Sequence, residues 1–246
     1  MSENLPLQMI YEEGELLPEA THKKYLSVRQ KGSCRVQREL VPTSTNQKNF
    51  EEVGGMSWQK VKISELGRVV TGKTPPTKQQ QYYDGDFPFI TPSDLEYDTY
   101  RIRTTTTSLS DEARSKFHNQ FIEENAVAFT CIASVGKIGI ATATSLTNQQ
   151  INSIIVNKEH DYRFVYYLLR NEARRILGMC SGVATPIINK SDFEKVELSV
   201  PGTLIEEQGI ASILSAYDNL IENNRRRITL LEQAARLLYR EWFVRL

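Results

Sequence analysis

Residues 201–246 read PGTLIEEQGIASILSAYDNLIENNRRRITLLEQAARLLYREWFVRL, and this stretch decides the architecture. Thr203 followed by Glu206 fits a capping box, in which each side chain satisfies an orphan backbone donor of the first helical turn. Beyond it there is no proline and a single glycine, Gly209. One helix of about 40 residues is expected, roughly 60 Å long at 1.5 Å per residue. Leu214, Ile221, Ile228, Ala235 and Trp242 fall seven apart, and Tyr217, Asn224, Leu231 and Leu238 fill the second position of the same heptads. Sustained seven-residue spacing marks a coiled-coil seam that needs a partner helix. The alternative is a terminal helix packed on its own domain, but a helix this long outreaches a domain of roughly 150 residues. Asn224 inside the seam can fix register at a cost in stability. Leu214, Tyr217, Ile221, Asn224, Ile228, Leu231, Leu238 and Trp242 are therefore the expected assembly residues, and a homodimer is the expected state.

Upstream, the pattern changes twice. From Trp58 to about Val200, short strands alternate with turns. Ala126–Ala133, Ile138–Thr144 and Asn152–Val156 are apolar and β-branched and predict buried strands; Phe193–Val200 alternates less cleanly. Val165, Leu168, Leu169, Ala173, Ile176 and Leu177 recur at helical spacing, with Gly178 suited to the position just past the helix end. The expected fold class is α+β: a globular domain over residues 57–202 with a twisted mixed sheet, then the long coiled-coil helix over 203–246. Residues 1–56 are weakly periodic, with a polar run at Pro42–Asn49, and suggest a poorly ordered extension.

Composition narrows the function classes. Of 246 residues, 30 are Lys or Arg and 30 are Asp or Glu, so the formal net charge is zero. Residues 57–204 alone carry 17 basic and 16 acidic side chains. A general basic coat for nucleic acid is excluded, but a local patch is not. The start of the chain lacks a signal-peptide pattern, and the most apolar stretch, Ala126–Ala141, is interrupted by Lys137 and too short for a bilayer. A cytoplasmic protein with no membrane partner is expected. Cys34, Cys131 and Cys180 are scattered, as are His22, His118 and His160, so neither disulfides, a metal site nor a cofactor is expected.

Catalytic motifs are sparse. Gly67-Arg-Val-Val-Thr-Gly72-Lys73-Thr74 matches a phosphate-cradling loop on paper, which requires a helix beginning at the Lys-Thr. Pro75 biases Thr74 away from helical geometry, and the Arg-Val-Val-Thr interior prefers strand. Nucleotide hydrolysis is therefore not expected, and no catalytic residue is assigned. Amide and hydroxyl groups beside basic residues, which suit base edges and phosphates, recur instead. One loop offers Lys73, Thr74, Thr77, Lys78, Gln79 and Gln80, and a second offers Arg101 and Arg103. Ser134 with Lys137, Asn148 with Gln149, and Asn189 with Lys190 complete the candidate DNA contacts.

Taken in order, these residues resemble the specificity subunit of type I restriction–modification systems, in its first half. The resemblance runs from Trp58 through Gly67 and Gly72-Lys-Thr-Pro-Pro76 to Tyr82-Tyr83-Asp-Gly85-Asp-Phe-Pro88-Phe-Ile90 with Asp94. It continues at Ala133-Ser134-Val-Gly136-Lys-Ile-Gly139, Asn148-Gln149-Gln150-Ile151, Pro201, Glu207-Gln208-Gly-Ile210 and Arg240-Glu-Trp-Phe-Val-Arg-Leu246. It implies a target recognition domain reading one half of a split site on double-stranded DNA, then a spacer helix. It also implies partners that supply the chemistry: methyltransferase subunits and a restriction and translocase subunit. Full-length relatives continue into a second recognition domain, so this chain is either a half-subunit or a fragment. Because relatives read different sequences, specificity is expected from loops outside the shared motifs, Lys73–Gln81 and Tyr97–Thr107. A coiled-coil adaptor without sequence-specific DNA binding is the alternative.

Overall fold

A computed structural model describes residues 57–181 and 185–244; the extension expected over residues 1–56 lies outside these. The chain opens with β1 (Trp58–Lys62), α1 (Ile63–Leu66), β2 (Gly67–Thr71), β3 (Tyr83–Ile90), β4 (Arg101–Ile102) and β5 (Thr107–Leu109). There follow α2 (Asp111–Lys116), β6 (Phe121–Ile122), β7 (Val127–Thr130), β8 (Ile138–Ala141), β9 (Ser145–Thr147) and β10 (Ile151–Val156). Last come α3 (Tyr162–Gly178), α4 (Lys190–Glu194), β11 (Glu197–Pro201) and α5 (Leu204–Phe243).

The α+β expectation is met, with a difference in the sheets. In place of one twisted sheet there are three: a five-stranded sheet ordered β2-β10-β7-β8-β4, a four-stranded sheet ordered β5-β3-β9-β6, and the pair β1-β11. Both larger sheets are mixed, since β4 pairs parallel to β8 and β3 parallel to β9, the other pairings being antiparallel.

The five-stranded sheet is buried on both faces, and the period of two in a strand divides its side chains between two cores. Val69, Val127, Phe129, Ile138, Ile140 and Ile154 join the core under α3. Val70, Ala128, Ala141 and Ile151 join a second core on the opposite face. On β8 this face carries only Gly139 and Ala141, and Ile102 and Leu95 pack close against Gly139. A Cβ built on Gly139 would lie 2.7 Å from Ile102 Cγ1. Two-sided burial explains why these strands read as continuous apolar runs rather than alternating ones. Cys131 belongs to this interior; it is 2% exposed, and burial pushes its thiol up to about 12.

Helix α3 covers the first core with Phe164, Val165, Tyr166, Leu169 and Ile176, and Asp161 caps it by accepting from the Arg163 and Phe164 amides. Gly178 is the last helical residue, so the helix runs one residue farther than the sequence pattern suggested. The strand expected over Phe193–Val200 is half wrong. Phe193 belongs to α4 and stacks on Phe129, with ring centroids 5.4 Å apart, and the strand begins at Glu197. Asn189 caps α4, so a cap signal overrode the weak alternation.

Gly72 is the tightest position relevant to function. A Cβ there would sit 2.1 Å from the Thr147 carbonyl oxygen and 2.3 Å from that of Asn148, both backbone atoms. Gly72→Ala should therefore destabilise the domain by about 1–3 kcal/mol through overpacking. Gly178→Ala, which meets nothing within 4 Å, should be neutral or slightly stabilising. Urea unfolding of the two variants side by side checks the contrast.

Candidate nucleic-acid interface

Strand register sorts the loops by which end of the five-stranded sheet they occupy. Thr71 of β2 pairs Asn152, Thr130 of β7 pairs Ile151, and Phe129 pairs Ile138. The loops following β2 and β7 and those preceding β8 and β10 therefore share one end. The Lys73 amide bonds the Thr147 carbonyl at 2.8 Å, and the Thr74 hydroxyl donates to Gln149 Oε1 at 2.5 Å. The Ala133 amide bonds the Pro186 carbonyl, and the Ile188 amide bonds that of Cys131. Lys73, Thr74, Ser134, Lys137, Asn148, Gln149, Asn189 and Lys190, far apart in sequence, thus gather on loops at one sheet end. Thr77, Lys78, Gln79 and Gln80 extend the first of these loops and are exposed.

Within this cluster the side chains divide into tied and available. Asn148 accepts from the Gln150 amide at 2.7 Å, and Asn189 accepts from the Asp192 amide at 2.9 Å; both oxygens hold loop geometry. Lys137 donates to the Pro92 carbonyl at 3.2 Å and lies 3.5 Å from Glu96. Lys190 lies 3.6 Å from Glu194 within α4, and Gln80 donates to Asp84. Among the described residues, Thr77, Lys78 and Gln79 make no side-chain hydrogen bond or ion pair. Lys73 is exposed, its ammonium 5.5 Å from the Phe117 ring centroid.

Two candidates behave differently from expectation. Arg101 donates to Asn219 at 2.6 Å and to Glu222 at 3.1 Å, and Arg103 donates to Glu222 at 2.8 Å. Both guanidiniums are held by α5 rather than presented with the loop cluster. They are better assigned to anchoring the helix than to reading bases. The pairing partner lies about 120 residues downstream, so no local pattern could reveal it.

The phosphate-loop match is resolved by the same contacts. Gly67–Thr71 is a strand, and coil follows Lys73-Thr74. The Gly72 and Lys73 amides, which would have to converge on a phosphate, are committed to the Ile151 and Thr147 carbonyls. Among the described residues no group of three or more His, Cys, Asp or Glu is arranged for a metal ion. No described helix is long and apolar enough to cross a membrane.

Sequence reasoning missed Tyr97 as an individual residue. It is 57% exposed, at the same end, with its ring edge 3.8 Å from a Cβ built on Gly136. An exposed aromatic beside polar loops suits base stacking or packing against sugar, and its only sequence signal was its place in a loop outside the shared motifs.

The family described as type I restriction modification DNA specificity domain matches residues 56–233. This protein belongs to that family. It is 30% identical over 190 residues to the type I restriction enzyme MjaIX specificity subunit of Methanocaldococcus jannaschii, covering 76% of this chain and 44% of the relative. It is 31% identical to the HindI specificity subunit of Haemophilus influenzae, covering 68% of this chain and 38% of that one. The chain therefore spans less than half the length of these relatives. In fold it resembles the crystal structure of a type I restriction–modification S subunit from M. genitalium, with a TM-score of 0.57 at 18% identity. That match covers 74% of this chain and 44% of the other.

One specificity-domain motif residue has a visible task. Asp94 accepts hydrogen bonds from the amide and hydroxyl of Thr91 and from those of Thr106. It pins the loop after β4 to the turn before it. Partial burial works against its ionised form, but the four donors outweigh this and hold the carboxyl below its usual value. A group lowered in the folded state adds stability above its unfolded pKa and loses it as pH falls through the folded one. The stability advantage of the native chain over Asp94→Asn should therefore be full at neutral pH and shrink below about pH 4, as denaturant titrations along a pH series would read.

Proposed function

We propose that this chain is a recognition subunit without catalytic machinery of its own, reading one half of a bipartite duplex DNA site. The observation that carries the reading is the gathering of separate polar loops at one sheet end in a member of the DNA specificity domain family. Phosphate contacts would come from Lys73 and Lys78, and base contacts from Thr77, Gln79 and Gln80. These lie in the loop least constrained by internal bonding. Asn148 and Gln149 shape the surface and can still offer their amide nitrogens, whereas both ends of the Asn189 side chain are tied to Asp192. Chemistry would be supplied in the cytoplasm by methyltransferase subunits and a restriction and translocase subunit.

The long helix supports an assembly role. On a face next to the one that packs on the domain, Leu214, Tyr217, Ile221, Ile228, Leu231, Leu238 and Trp242 are 39–70% exposed. Leaving several large apolar side chains in water forfeits several kcal/mol at about 25 cal/mol per Å². A second copy, running antiparallel about a twofold axis, would cover them and would supply the second recognition domain. Such a dimer reads a palindromic site, with the methyltransferase docking at the helix pair.

Selection of a randomised duplex library by the purified chain tests the reading. Binding should be sequence-specific and weaken steeply with salt, since phosphate contacts release counterions. Lys73→Ala and Lys78→Ala should weaken binding to all sequences alike. Gln79→Ala should relax preference at one base position, by about 1–3 kcal/mol for a bidentate contact. Equal affinity for all duplexes would leave the adaptor reading in its place.

Sedimentation tests the assembly. Leu231→Asp should abolish the dimer by burying an unpaired charge in the seam, with the domain's thermal transition unchanged.

A further inference from the structure

Helix α3 and the first half of α5 run side by side and in the same direction. Glu207 near the start of α5 accepts from the Asp161 amide at 2.8 Å and lies 2.7 Å from His160, just before α3. Farther along, the Tyr167 hydroxyl donates to Asp218 at 2.6 Å. Between the two helices an open groove of about 680 Å³ is lined by Arg170 and Arg174 of α3 and by Leu214, Tyr217 and Asp218 of α5. Leu214 and Tyr217 are also positions of the heptad seam, so the groove and the seam are one surface.

We infer that this groove seats the C-terminal half of α5 from a second copy of this chain, with Arg170 bridging its own Asp218 to the second copy's Glu232. The inference rests on the homodimer proposed above and adds the side of the helix, the register and a residue outside the coiled coil. Its occupant follows from the chain itself. After Arg225, which lies 3.5 Å from Asp98, every described residue of α5 is exposed. That bare half is about as long as the half bearing the groove. Antiparallel pairing about Arg226 sets Ile210 against Trp242 of the second copy. It likewise sets Leu214 against Leu238, Tyr217 against Ala235 and Ile221 against Leu231. A shift of one heptad in either direction leaves some of these uncovered.

The charges then select the bridging residue. Residues 211, 218, 225, 232 and 239 occupy the shoulder of the helix nearest α3, and antiparallel helices bring like shoulders together. In this register Asp218 lies within about half a turn of the second copy's Glu232, and two carboxylates would repel. Arg170 stands beside them. Its Nη1 is 4.0 Å from Asp218, its side chain is 38% exposed, and a guanidinium has donors enough for two carboxylates. Within one copy Glu232 lies about 21 Å along the helix from Asp218, so any effect linking Arg170 to Glu232 acts between copies.

Charge exchange on the full chain tests this by sedimentation equilibrium. Arg170→Glu should weaken self-association about tenfold or more, because it sets like charges together at two symmetric positions. Glu232→Arg alone should change it little, because its guanidinium can pair with Asp218 in the same place, and its exposed helical site leaves folding intact. Combining the two should restore most of the native affinity. A native dimer unaffected by Arg170→Glu, or a double variant as weak as Arg170→Glu alone, overturns the groove assignment while leaving the dimer standing. A native chain that stays monomeric overturns the homodimer itself, and the groove assignment with it.

Discussion

The five-stranded sheet is buried on both faces, and that constraint shapes everything built on it. Val127 and Phe129 point into one core while Ala128 points into the other, so neither face has room for a ligand. Only the sheet's two ends and its edges remain for function. The polar loops occupy one end because strand pairing delivers them there: the Gly72 and Lys73 amides bond the Ile151 and Thr147 carbonyls, which ties the loop after β2 to the loop before β10. The surface is therefore a product of close packing beneath it, and its free side chains are those the packing leaves unused.

The opposite end anchors the long helix. Glu207 is 1% exposed and satisfied by His160 and the Asp161 amide, a carboxylate too costly to bury without such partners. From there α5 passes along α3 and the β4 edge, held by Asp218, Asn219, Glu222 and Arg225 in turn. Only Ala211 and Ser215 join Glu207 as buried residues. Each exposed ion pair contributes at most about 1 kcal/mol, but a row of directional contacts fixes orientation better than an apolar stripe would. The helix consequently leaves the domain at the end that carries the loops, and residues 226–243 extend roughly 27 Å beyond at 1.5 Å per residue. One face of the helix serves the domain, and a neighbouring face stays open for assembly.

Arg101 and Arg103 illustrate how the two roles compete for the same chemistry. A guanidinium in a Thr-rich loop has the groups to contact DNA, and the sequence alone cannot separate that from a partner elsewhere in the chain. Here the partner is Glu222, and Arg101 also lies 4.4 Å over the Tyr100 ring. The same ambiguity applies to Asn148 and Asn189, whose side-chain oxygens serve turns and a helix cap before any ligand arrives.

By itself, the sequence determined what depends on local periodicity and local chemistry. The capping box at Thr203 and Glu206, the 40-residue helix, the α3 core positions Val165, Leu169 and Ile176, and three of the four strands expected from the sequence follow from side-chain spacing over a few turns; Leu177, expected on the same face, is exposed, and the buried Phe164 and Tyr166 were not read. The seven-residue apolar spacing along α5 was legible for the same reason, as was the conflict between a phosphate loop and Pro75-Pro76. The family, too, was readable, because its motifs keep their order along the chain. Tertiary structure decided what depends on contacts across long separations. It set three sheets in place of one, and it brought loops from residues 73, 134, 148 and 189 to a common end. It withdrew Arg101 and Arg103 to the helix, and it chose which face of α5 the domain covers. No local pattern encodes these outcomes, since each is set by strand pairing and by charge partners that only the folded chain brings within reach.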